Sequence, residues 1–81
     1  MGRCDKLLEK ARNAPSNLTF RELCHLAECH GFELDRVKGS HHIFKSRQIR
    51  GVLTLQKAQD GKAKPYQVRQ LLDHIDRTEE E

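Results

Sequence analysis

The sequence has no apolar run approaching the ~20 residues that a membrane-spanning helix needs. Its start, Met1-Gly2-Arg3-Cys4-Asp5, carries no apolar signal-peptide core. It has no internal repeat, and no low-complexity segment apart from an acidic end that closes on Glu79, Glu80 and Glu81. Its cysteines, Cys4, Cys24 and Cys29, make an odd count, which excludes a full disulfide framework. Together these absences lead to the expectation of a cytoplasmic protein that does not enter a membrane. Acids are scarce where bases are dense. Between Arg36 and Arg69 there are nine bases (Arg36, Lys38, Lys45, Arg47, Arg50, Lys57, Lys62, Lys64 and Arg69) and one acid, Asp60. Such a basic field is the footprint of a polyanion partner, with a merely solvated face as the plainer reading.

What is present fits one small domain over residues 1–81. A chain of 81 residues buries only about 60% of the surface its unfolded form exposes. The core is therefore expected to be thin, one layer of helices on one small sheet. A first helix is read over 4–13, with Leu7, Leu8 and Ala11 at helical spacing, Asp5 early and Lys10 and Arg12 late. Its expected role is packing, as an extra element within residues 1–15. A second helix is placed at 19–30. Thr19 and Glu22 have the spacing of a capping box, Leu18 and Leu23 that of a hydrophobic staple, and Gly31 is a stop. Leu23, Leu26 and Ala27 form its apolar stripe.

Strands are expected at 32–37, with Phe32 and Leu34 inward, at 41–45, and at 51–56. The connections are too short for a parallel crossover, so the sheet is an antiparallel meander. A loop over 57–64 contains the turn pair Asp60-Gly61. Pro65 opens a last helix over 65–77 with Val68, Leu71, Leu72 and Ile75 on one stripe. Residues 78–81 are read as a frayed acidic tail. The fold class is thus α+β, order α-α-β-β-β-α, a three-stranded antiparallel sheet with its helices on one face. That is also the topology of the double-stranded-RNA-binding domain.

The chain is organised around Lys38-Gly39-Ser40-His41-His42-Ile43-Phe44. Gly39 and Ser40 make a turn that feeds directly into a strand. Alternation then sends His41 and His42 to opposite faces. One imidazole faces water beside Lys38 and Lys45, joining a side chain able to carry a proton to charge suited to phosphate. A histidine and a cysteine cluster, Cys24, His25, Cys29 and His30, lies on the second helix. Cys24 and Cys29 point about 140° apart on a helix. His25 and Cys29 share a face, but two ligands do not make a tetrahedral site. No metal and no cofactor are expected there.

Gly39-Ser40-His41 at a strand start resembles the G-S-H signature of HicA toxins, small bacterial mRNA interferases. Gly31-Phe32 shortly before it, and Lys62-Ala63-Lys64-Pro65-Tyr66-Gln67-Val68-Arg69-Gln70-Leu71-Leu72 at the entry of the last helix, are similar to that family too. The likeness spans roughly residues 19–76. It implies metal-independent cleavage of mRNA, neutralisation by a HicB-like antitoxin, His41 as the catalytic residue, and Gly39 and Ser40 as the residues that shape its turn. Compact members show a Pro and a further His after the third strand, where this chain has Gln56-Lys57.

RNA carries its own nucleophile, the 2′-OH. Cleavage needs a base for that proton, an acid for the leaving oxygen and positive charge for the phosphorane. His41 serves a proton role, and Lys38 or Lys45 offsets phosphate charge. Lys38, Lys45, Arg47, Lys57, Lys62 and Lys64 are the expected contacts to the RNA backbone, with Gly39 and Ser40 beside them. The alternatives are a non-catalytic RNA-binding module and a degenerate toxin that acts only by binding a protein partner.

Overall fold

The structure is a computed structural model that describes residues 2–46 and 51–79. Its second helix begins where the capping box requires. The Thr19 hydroxyl accepts the Glu22 N–H at 3.1 Å, and the Glu22 carboxylate accepts the Thr19 N–H at 3.0 Å. Two N–H groups that no helix turn can pair are thereby satisfied. The Thr19 backbone bond, and after it Lys10, hold the Glu22 carboxyl below its ordinary 4.5 against the opposing effect of burial. A depressed pKa means that this ionised cap stabilises the fold above the ordinary value. That contribution is lost as pH falls through the folded one.

This helix, α2, spans Phe20–Cys29, one residue shorter at each end than expected. It stops at Gly31, whose φ of 91° suits a residue without a Cβ. The first helix, α1, spans Arg3–Asn13 and buries Leu7 and Ala11. A short 3₁₀ turn over Pro15–Asn17 joins the two. Three links fasten α1 to the rest. Lys10 pairs with Glu22 at 3.0 Å, Arg12 pairs with Asp76 at 2.6 Å, and Cys4 is disulfide-bonded to Cys29. The bridge corrects two expectations. An odd cysteine count excludes a full framework but not one bond, and the cysteines therefore carry no argument for a reducing compartment. Nor is α1 only packing, since it supplies half the bridge. Cys24 remains a free thiol, and burial, then the nearby Glu28 charge, raises its pKa to about 11.

Strands β1 (Phe32–Lys38), β2 (His41–Ser46) and β3 (Val52–Gln56) form an antiparallel sheet in the order β1-β2-β3. Residues paired across strands share a face. One face therefore carries the rows Val37–His42–Leu55 and Leu34–Phe44–Leu53, and the other carries Lys38–His41–Gln56 and Arg36–Ile43–Thr54. The first face is the covered one. Phe44, Leu53 and Leu55 are buried there, in one core with Leu23, Leu26 and Ala27 of α2 and with Val68, Leu71 and Ile75. Each of these side chains larger than alanine contributes about 1.5–3 kcal/mol of burial. The last three belong to α3, Pro65–Glu79. This helix runs two residues beyond the expected 77, so the start of the expected tail is helical, and residues 80 and 81 lie outside the described residues.

Leu34 departs from expectation. Its register places it on the covered side, yet it is 49% exposed, as is Val37 at 52%, because β1 is an edge strand and is buried only at its Phe32 end. A bulge falls between Leu34 and Arg36, which leaves Asp35 without a register partner on β2. The element order and sheet otherwise match the expected α+β class. Among the described residues, no helix is long and apolar enough to cross a membrane.

Candidate functional site

Gly39 and Ser40 alone join β1 to β2, because Lys38 and His41 already pair across the strands. A two-residue hairpin loop needs a positive φ at its first central position or at both, to match the strand twist. Gly39 provides it with φ 62°. The turn therefore delivers His41 to the first rung of the ladder, on the open face of the sheet and exposed to water. His42 faces the other way. It is half-buried, with its ring edge-on to Phe20 at 4.9 Å. The expected division of the two imidazoles is what the structure shows.

Neighbours gather around His41 from three elements. Lys38 flanks it on β1 and Gln56 on β3. The Gln56 side chain donates to the Ser40 hydroxyl at 3.2 Å and accepts from Lys64 Nζ at 3.2 Å. Its backbone N–H, on the outer edge of β3, donates to Gln67 Oε1 at 2.9 Å. Gln67 is almost fully buried, and its Nε2 donates to the Tyr66 hydroxyl at 3.4 Å. A glutamine thus ties the turn, a lysine and the entry of α3 into one rigid corner. A cavity of about 390 Å³ opens here along β3, with His41, Gln56, Tyr66 and Gln67 among its lining. A second, of about 540 Å³, shares Gln56 and is lined by Lys57 and Lys64.

The structure brings together Lys38, Gly39, Ser40, His41, Lys57 and Lys64. It sets Lys45 apart. Lys45 lies four residues along β2 from His41, about 13 Å at strand rise. It pairs there with Asp35 at 3.5 Å and stands opposite Glu33. Lys62 bridges through its main chain to Thr19, at the start of α2. Arg47 lies outside the described residues. His74 lines the far end of the His41 cavity, with its ring against Phe32. It stands about 12 Å along α3 from Tyr66.

Sequence reasoning missed Gln56, Tyr66 and Gln67. Strand alternation placed Gln56 on one face or the other, but only the register puts it beside His41. Gln67 had a weak signal, a polar residue among the inward positions of an otherwise apolar helix stripe. Chemically, the corner offers one exposed proton carrier, a phenol in the same cavity, and cations on two sides. An isolated imidazole between lysines and amides suits an anionic ester more than a neutral substrate.

A family model described as HicA toxin of bacterial toxin-antitoxin matches residues 20–76, well over half of the chain. No curated protein and no solved structure matches it. The matched span holds the sheet, α2, the turn and most of α3, and it leaves out α1.

Proposed function

The chain belongs to the HicA toxin family, a toxin of a toxin-antitoxin system, and we propose that it acts as a metal-independent endoribonuclease that cleaves mRNA, with His41 as general acid or base. The observation that carries this reading is the row Lys38–His41–Gln56 on the open face. It sets a solvent-facing imidazole next to a lysine on a strand end that the turn holds rigid.

RNA laid along this corner brings a phosphate to Lys38, Lys64 and Lys57. These contacts need no base specificity. His41 takes the 2′-OH proton as the oxygen attacks phosphorus, or gives a proton to the departing 5′-oxygen. The lysines take the charge that develops on the phosphorane, the part a metal plays in other nucleases. The products are a 2′,3′-cyclic phosphate and a 5′-OH. Tyr66, 56% exposed and in the same cavity, supplies a ring on which a base stacks and a hydroxyl within the site. The partner of this system is a HicB-like antitoxin, which inhibits by covering His41 and the lysines beside it. The substrate places the protein in the cytoplasm.

The test is cleavage of a model mRNA in EDTA by the wild-type chain and by His41→Ala. The expected loss is ~10²–10⁴-fold, the usual contribution of a general acid or base, with an unchanged circular dichroism spectrum. A folded variant that still cuts at the wild-type rate would remove His41 from the mechanism. A wild-type chain that binds RNA at low salt without cutting it would make this a binding module.

A further inference from the structure

We propose that Cys4, His25 and Cys29 form a zinc site when the Cys4–Cys29 bond is reduced, so that α1 is fastened to α2 by a metal in one redox state and by a disulfide in the other. One ligand atom of each of the three residues lies within 4.8 Å of the other two. A zinc tetrahedron with Zn–S ~2.3 Å and Zn–N ~2.0 Å has edges of roughly 3.5–3.8 Å. On reduction the two sulfurs must part by roughly 1.7 Å from disulfide distance, and the imidazole must close by up to about 1.3 Å, movements that side-chain rotation at half-buried positions provides.

The set was invisible along one helix. His25 and Cys29 stand four residues apart on α2, the spacing that places two ligands on one face. The third comes from the other end of a 25-residue separation, on α1. The chemistry of the set is that of zinc, two thiolates and one imidazole, with the fourth position left to water. Two thiolates and the metal sum to zero charge, which suits a half-buried position. Arg3, Arg21 and Glu22 line the recess beside His25. Cys24 is not part of the set. It points to another side of α2, and burial keeps it protonated at neutral pH.

The two states exclude each other because both use the same sulfurs. Exchange needs an oxidant, for which hydrogen peroxide serves. Two electrons leave the two thiolates and the S–S bond forms. The O–O bond breaks, its oxygens take two protons from solvent and depart as two waters, and zinc is released. The site lies at the Phe32 end of the sheet, about 20 Å along β1 from the turn. It therefore touches no substrate, and the proposal does not rest on the nuclease reading. In a reducing compartment, where protein disulfides are rare, the metal takes over the fastening of α1.

The test uses the full chain, reduced under argon and titrated with Co²⁺ and then Zn²⁺. The expected result is one metal per chain, with thiolate charge-transfer bands and the d–d bands of tetrahedral cobalt. His25→Ala, at a half-buried helix position, should weaken binding at least ~10-fold, since even groups that only orient a ligand contribute 10–100-fold. Cys24→Ser should bind as the wild type does. The oxidised chain should bind no metal, and peroxide added to the zinc form should release it to a chromogenic chelator. Four results would each overturn the proposal. They are a reduced chain that takes up no stoichiometric metal, an His25→Ala variant that binds equally well, a loss on Cys24→Ser, and an oxidised chain that still binds.

Discussion

Two neighbouring rows cross the sheet at its hairpin end, and they differ in almost everything. The row Val37–His42–Leu55 lies on the helix side, with the His42 ring against Phe20. The row Lys38–His41–Gln56 lies on the water side, among lysines and amides. The two histidines are adjacent in the chain, so composition cannot distinguish them. Strand parity does. The lesson is that the same side chain becomes a packing piece or a reagent according to which face a single residue's step assigns it.

The sharpest way to test this contrast is a crossed pair of substitutions. His41→Ala should lower RNA cleavage by ~10²–10⁴-fold, worth about 3–5 kcal/mol of barrier, and leave urea unfolding nearly unchanged. His42→Ala should do the reverse, costing about 1–3 kcal/mol of stability through the space it leaves beside Phe20, with cleavage by the folded fraction retained. Equal effects in both assays would erase the distinction between the faces. Next in size is the turn that assigns the faces. Gly39→Ala forces a Cβ into φ 62°, which should cost about 1–2 kcal/mol in a denaturation midpoint. No atom crowds that position, so the cost is one of backbone conformation.

Smaller effects sharpen the comparison along the open face. Lys64→Ala should reduce the slope of log K against log salt for RNA binding by about 1, the signature of one lost phosphate contact. Lys45→Ala should leave both cleavage and the salt slope unchanged and shift stability by less than about 0.5 kcal/mol. Its partner Asp35 is local, and exposed pairs contribute little. A Lys45 variant as defective as the Lys64 one would extend the RNA track along the full sheet.

Much of this was legible because it is local. Thr19 and Glu22 announce their capping box within four residues, Gly39-Ser40 announces a tight turn, and Val68, Leu71 and Ile75 announce a helix face. The resemblance carried by Gly39-Ser40-His41 agrees with the family match over 20–76. What stayed hidden is tertiary. The joining of Cys4 to Cys29 depends on how α1 lies on α2, and reading the cysteines of one helix alone could not find it. The roles of Gln56 and Gln67 depend on the register of β3 and on where α3 crosses its edge. The half exposure of Leu34 follows from the place of β1 at the sheet edge, which alternation does not report.

The bulged Asp35 has a consequence for how this hairpin tolerates deletions. Skip it, and Phe32, Glu33, Leu34, Arg36, Val37 and Lys38 alternate in and out without a break, each already opposite its observed partner. Excising Asp35 therefore closes the ladder rather than shifting it, and removing Arg36 does the same with Asp35 in its outward place, whereas removing Val37 would turn Arg36 onto the helix side. A scan of one-residue deletions should find the permissive positions of this strand at 35 and 36. What the chain would give up with Asp35 is solubility: a straightened outer strand, stripped of its carboxylate and its twist, is a better template for a second molecule to zip onto.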